Sequence, residues 1–123
     1  MEPRRFVILR HEPGVAGPRQ LHWDLMLEFG DRLRTWALDS EPCLDNEISA
    51  NELPSHRLDY LGYEGAVSGG RGTVRRFDRG TFEVVEVRPG RVSVDLAGES
   101  LQGRLELTYN SIDQRWKFLL RSS

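Results

Sequence analysis

The chain has 123 residues, of which 29% are charged and 38% hydrophobic, with a formal net charge of −2. That length fits one domain, residues 1–123, able to bury a core without staples. The near-neutral charge excludes indiscriminate attraction to nucleic acid as the basis of function. No window approaches the ~18 apolar residues of a membrane span, and residues 1–5 lack the apolar segment of a signal peptide. A cytoplasmic protein is the expectation. Cys43 is alone, which excludes an internal disulfide and a cysteine-based zinc cluster. Its flanks, Pro42 and Leu44, predict a half-buried structural residue.

Along the chain, Phe6 to Arg10 reads as a strand, and residues 12–18, with two glycines and two prolines, as a loop. Leu21 to Phe29 reads as the next strand. Gly30-Asp31 then marks a turn into a hairpin partner at Arg32 to Leu38. Residues 39–54 are acidic and without period. They predict irregular chain with at most one helical turn capped by Asp45. Residues 68–72 form a glycine-rich loop. Short strands follow at Thr73 to Phe77 and Thr81 to Val87, with Asp78-Arg79-Gly80 as the turn between them. Three further alternating runs begin at Arg91, Gly103 and Arg115. Seven or eight strands and almost no helical period predict an all-β fold, a closed or partly closed antiparallel barrel. Closure would also remove exposed sheet edges.

The strand at 21–29 carries the sharpest chemical signal. Side chains alternate along a strand. Leu21, Trp23, Leu25, Leu27 and Phe29 therefore share a core face, and His22, Asp24, Met26 and Glu28 share the other. An imidazole and a carboxylate side by side on a rigid element are common ligands of Zn²⁺ or Mn²⁺. On spacing alone, such a pair is more often a surface hydrogen-bonded pair than a metal site. His11 and His56 complete the stock of three histidines. Charge is unevenly spread. Residues 39–64 hold seven acids and one base, Arg57, whereas 71–79 hold Arg71, Arg75, Arg76 and Arg79 against one acid, Asp78. Arg75 and Arg76 must alternate, so at most half of that strand's charge can serve one surface. The three tryptophans read as core residues.

Three blocks, taken in order, resemble the 3′-phosphoesterase domain family of bacterial DNA ligase D. The first runs from Phe6 to His11, then Leu21-His22-Trp23-Asp24 to Glu28, then Trp36-Ala37-Leu38. The second is His56-Arg57-Leu58-Asp59-Tyr60 with Tyr63-Glu64-Gly65. The third is Gly72-Thr73-Val74 with Asp78-Arg79-Gly80-Thr81-Phe82-Glu83. The resemblance implies a β-barrel enzyme that trims the 3′ ends of DNA or of RNA–DNA primers during end-joining repair. It would remove a 3′-phosphate or a 3′-ribonucleotide, with Mn²⁺ as the usual cofactor and Zn²⁺ or another divalent ion as alternatives. It implies His11, His22 and Asp24 as metal ligands, with Glu28 or Tyr60 orienting them. His56 and Tyr60 would act at the phosphate. Arg10, Arg57 and Arg71 are candidate phosphate or nucleic-acid contacts. Nothing in the 123 residues resembles a polymerase or ligase segment, so those activities, and end-binding repair proteins, would come from other chains.

The chain departs from the family pattern in four places. Residues 12–21 insert a loop between the first two histidines, which costs little, since doubling a loop's length adds only about 0.6 kcal/mol. Met26, Ser40 and Glu52 each stand where the family has a cation. These losses leave a second expectation open, a catalytically impaired metal- or nucleic-acid-binding module acting with repair partners. The near-neutral charge leaves a third, a small-molecule phosphoesterase.

Overall fold

The computed structural model describes residues 2–15 and 20–122. Nine strands follow in chain order: β1 (Arg4–Glu12), β2 (His22–Phe29), β3 (Arg32–Leu38), β4 (Ile48–Arg57), β5 (Gly65–Ala66), β6 (Thr73–Arg88), β7 (Arg91–Gly98), β8 (Gln102–Asn110) and β9 (Arg115–Arg121). Their order in the sheet is β1-β2-β3-β4-β9-β8-β7-β6-β5, and β6 returns to pair with β1. Eight strands therefore close an all-antiparallel ring, and the two-residue β5 hangs on the start of β6. The expected all-β barrel is what forms.

Alternation builds the interior. Phe6 and Ile8 on β1, Trp23, Leu25 and Leu27 on β2, and Trp36 and Leu38 on β3 point inward. They join Phe82, Val94, Leu105, Trp116 and Phe118 from the far wall in one cluster. Trp36, Phe6, Phe82 and Phe118 are the largest side chains withdrawn fully from water. The Trp36 and Trp116 rings meet edge to face, with centroids 5.5 Å apart, the geometry that aromatic quadrupoles favour. All three tryptophans are core residues, as their positions on the inward face predict.

A second, smaller apolar cluster lies outside the barrel wall. Val7, Leu9, Met26, Leu33 and Val74 form it, and Leu58, Tyr60, Leu61 and Val67 cover it. The cover includes a 3₁₀ turn at Leu58–Leu61. Three residues per turn put Leu58 and Leu61 on one side, so both can lie on the patch. Met26, at 1% exposure, belongs to this patch.

Four readings of the chain are corrected. Residues 48–57 are strand β4, because that segment bridges β3 and β9 and so completes the ring. The helical turn lies at Leu58–Leu61. Asp45 instead adopts a left-handed backbone (φ 59) and donates its N–H to the Leu120 carbonyl at 2.7 Å. The 78–80 triplet is no turn. β6 runs unbroken for 16 residues, pairing β1 with its first half and β7 with its second. Gly80 fits there because a Cβ would collide with the Ala97 carbonyl oxygen. Asp78, 3% exposed, accepts the backbone N–H groups of Ser100 and Leu101 at 3.0 and 2.9 Å and pins the β7–β8 connection. Cys43 is exposed.

Candidate metal centre

β1 and β2 pair so that His11 stands opposite His22, and Leu9 opposite Asp24. The outward alternation of both strands then brings three polar side chains onto one patch of the outer wall. One ligand atom from each of His11, His22 and Asp24 lies within 4.8 Å of the others. The two imidazole centroids are 4.5 Å apart. His22 and Asp24 are buried, at 7% and 3% exposure.

Backbone carbonyls fix both rings. His22 Nδ1 lies 2.8 Å from the Gln20 carbonyl oxygen, and His11 Nε2 lies 2.8 Å from that of Arg71. A carbonyl can only accept, so these two nitrogens carry protons. The opposite nitrogens both face Asp24: His11 Nδ1 at 2.8 Å from Oδ2 and His22 Nε2 at 3.1 Å from Oδ1. In neutral imidazoles these are lone pairs directed at a carboxylate. Only extra protons or a cation can satisfy that arrangement. The His22 contact is close enough for an ion pair but misses hydrogen-bond geometry, so Asp24 Oδ1 is a buried oxygen without a hydrogen-bond partner among the described residues. Such an atom is costly unless something fills its valence. Two tautomer-fixed nitrogens and an orphaned carboxylate oxygen fit a divalent transition metal. Burial pushes the Asp24 carboxyl toward higher pKa, but the contacts with His11 and His22 outweigh it and hold the group below its ordinary value.

The Arg71 carbonyl reaches His11 because of two glycines. Gly72 has a left-handed backbone (φ +95), and a Cβ there would strike the Glu12 carbonyl oxygen. A Cβ on Gly14 would strike the Gly70 carbonyl. The 68–72 loop thus lies against the end of β1, closed by a 2.8 Å bond from Val67 N–H to the Gly72 carbonyl.

His56 stands near the end of β4, opposite Leu33. Thr35 Oγ1 donates to the Leu33 carbonyl at 3.0 Å and lies 3.0 Å from His56 Nδ1. A hydroxyl has one proton, so Nδ1–H donates to Thr35 and Nε2 keeps the lone pair. Desolvation lowers the His56 pKa below its usual value, against the opposing pull of Asp24. Tyr60 packs edge-on against this ring, centroids 5.2 Å apart, and Tyr63 against Tyr60 at 5.7 Å.

The other sequence candidates are dispersed. Arg10 alternates to the Phe6–Ile8 face, away from His11, and pairs with Glu12. Arg57 is exposed beside His56. Arg71 turns its guanidinium onto Ser68, donating to its carbonyl at 2.7 Å and its hydroxyl at 3.1 Å. Arg79 pairs with Glu99 at 3.0 Å, so the four arginines of 71–79 do not act as one patch. Glu28 is bound to Arg5 at 2.7 Å and orients no ligand. Glu52 pairs with Arg34 at 2.6 Å. Residues 16–19 of the expected insertion lie outside the described residues. Sequence reasoning missed Thr35, which the alternation of β3 would have placed on the outer face. It also missed the Gln20 and Arg71 carbonyls, which side-chain identity cannot signal.

No helix among the described residues is long and apolar enough to cross a membrane. Residues 16–109 match the family model described as the DNA Ligase D 3′-phosphoesterase domain. The chain is also 32% identical over 113 residues to the multifunctional non-homologous end joining protein LigD of Pseudomonas aeruginosa, an alignment covering 84% of this chain and 13% of that protein. The chain therefore spans only a small part of that relative's length. With the outer-wall cluster lying inside the matched region but for His11, the chain belongs to the DNA Ligase D 3′-phosphoesterase domain family.

Proposed function

We propose that residues 1–123 act as one metal-dependent phosphoesterase domain on the 3′ ends of DNA or RNA–DNA primers in end-joining repair. The reaction is removal of a 3′-phosphate or a 3′-ribonucleotide, with Mn²⁺ as the resident cation and Zn²⁺ as its competitor. Separate ligase, polymerase or end-binding chains would act on the trimmed end. The observation that carries this reading is the buried Asp24 carboxylate facing two imidazole nitrogens whose other nitrogens are committed to carbonyls.

When bound, a divalent ion polarises a phosphoryl oxygen and acidifies a water. His11, His22 and Asp24 would hold it, and three protein ligands leave positions open for substrate. Thr35 holds His56 in the tautomer whose Nε2 can accept a proton or a hydrogen bond. Burial keeps that ring neutral in the free protein. An arriving phosphate would raise its pKa and let it protonate the leaving oxygen. Tyr60 supports the His56 ring, and its hydroxyl is a second phosphate contact. Arg71 and Arg57 are candidates for neutralising charge, whereas Arg10 alternates to the other face of β1. The test is Mn²⁺-dependent release of a 3′-phosphate or 3′-ribonucleotide from a primer–template. Turnover no greater than that of a His22→Ala control rejects the proposal.

One observation favours a second reading, a binding module of impaired catalysis. Met26 occupies the apolar patch and Glu52 is committed to Arg34, so neither position offers a cation. Losing one such electrostatic contact costs ~10²–10³ in rate. Metal and primer binding without turnover would establish this reading.

A further inference from the structure

Next to the cluster, and sharing His22 with it, a pocket of about 370 Å³ opens on the outer wall. Gln20, Leu21, His22, Ala37, Asp39 and Asn51 line it. None of the steps above uses the pocket except through His22. Register explains why it is there. Asp24 stands opposite Ala37, and Ala37 opposite Asn51. The three form a row across β2, β3 and β4, with neighbouring strands about 4.8 Å apart. The middle member is an alanine, so the row dips between a carboxylate and an amide.

The far wall is fixed by Arg115 at the start of β9. Its guanidinium donates to Asp39 Oδ1 at 2.9 Å and to Asn51 Oδ1 at 3.2 Å. Because the Asn51 oxygen accepts from Arg115, its amide N–H₂ is the group offered to a ligand. Asp39 keeps a second carboxylate oxygen as an acceptor. Arg115 is offset by Asp39, so the pocket lacks net positive charge and a second phosphate there would meet a carboxylate. Leu21, the Ala37 methyl and the His22 ring supply apolar surface. A donor, an acceptor and an apolar wall suit an uncharged group that carries both donors and acceptors. The row spans about 10 Å from Asp24 to Asn51, two strand spacings, comparable to one nucleotide from its phosphate to the edge of its base.

We infer that this pocket holds the sugar and base of the 3′-terminal nucleotide whose phosphate is directed at His11, His22 and Asp24. The direction of the phosphate rests on the phosphoesterase reading, whereas the pocket's choice of an uncharged polar ring does not.

The experiment is an NMR titration of the labelled full chain with a nucleoside 3′-monophosphate and, separately, with inorganic phosphate, each with and without Zn²⁺ as a diamagnetic cation. The nucleotide should shift the Ala37 methyl and Asn51 side-chain amide signals, and inorganic phosphate should not. Ala37→Leu, which fills the dip, should weaken nucleotide binding at least tenfold and leave Zn²⁺ binding unchanged. Asn51→Ala, at an exposed position, serves as the second variant should the leucine disturb folding, with a smaller loss expected. Equal shifts from inorganic phosphate, or full nucleotide affinity in the folded variants, overturn the inference. Failure to bind Zn²⁺ would instead overturn the metal-centred reading. Shifts at Ala37 and Asn51 in the metal-free titration would then still uphold the pocket.

Discussion

Two stretches of the outer wall share one strand pairing and reach opposite outcomes. On β7–β8, Asp95 stands opposite Arg104, and the two side chains pair in water at 2.6 Å. Arg91 likewise bridges Glu86 and Glu106 at 2.8 and 2.6 Å. On β1–β2 the same alternation points His11, His22 and Asp24 outward, but there the 68–72 loop reaches the ligands and the 3₁₀ turn covers the wall beside them. Exposed charges on β7–β8 find one another and are screened, so they contribute little. Near-complete burial on β1–β2 leaves a carboxylate and two committed imidazoles whose arrangement is satisfied only by added positive charge. Cover, not strand pairing, separates a solvated ladder from a buried cluster that could hold a cation.

The largest effect that would break this contrast lies at Asp24. Mn²⁺ at about 100 times its Kd should stabilise the protein by about 2.7 kcal/mol, read as a rise in Tm. Asp24→Asn should abolish that rise and lower metal affinity by more than about 100-fold, because it removes a ligand rather than an orienting partner. An unchanged Tm response would show that the cluster is an ordinary polar patch.

Gly72→Val tests whether the loop makes the difference. The side chain cannot occupy the space held by the Glu12 carbonyl, so the Arg71 carbonyl must leave His11 Nε2. Loss of an orienting partner should reduce metal affinity about 10- to 100-fold while far-ultraviolet circular dichroism stays that of the barrel. Calorimetric titration showing wild-type affinity would detach the loop from the site.

A pH series sharpens the contrast further. In the metal-free protein, the His56 pKa is lowered by burial and the Asp24 pKa by its histidines. Both groups bind protons more tightly in the unfolded chain. Each therefore adds stability above its unfolded pKa, and that stability is lost as pH falls through the folded value. Urea unfolding should show stability declining below about pH 6.5 from His56 and again below about pH 4 from Asp24. His56→Gln should flatten the upper part of that decline. A decline unchanged in His56→Gln would place the titrating group elsewhere.

The smallest effect belongs to the other stretch. Arg104→Ala, in the exposed pair with Asp95, should leave Tm and metal affinity indistinguishable from wild type. A marked fall in Tm would mean that the β7–β8 ladder holds the barrel together.

Much of this was legible in the residues. Strict alternation at 21–29, 91–96 and 103–109 marks strands with one buried face, because a one-residue slip would turn every core side chain outward. The same alternation placed His22 and Asp24 together on the face away from the core. Strand β4 was not legible, since Ile48 to Arg57 carries an acid, Glu52, and a proline and takes its conformation from the strands on either side. The continuity of β6 through Asp78-Arg79-Gly80 was equally hidden. A turn motif and a curving barrel strand share the same small residues, and only the partners on β1 and β7 distinguish them.

The sequence by itself determined the strand periodicity, the inward tryptophans and the shared outward face of His22 and Asp24, because these follow from local alternation, while His11 joined them as a candidate only through the family resemblance. The tertiary structure alone decided that His11 faces His22, that the Gln20 and Arg71 carbonyls fix both tautomers, and that Met26 lies in an apolar patch. It also decided that Ala37 leaves a hollow beside the cluster. Each of these depends on which strands become neighbours and in what register, a property of the closed ring that no single segment carries.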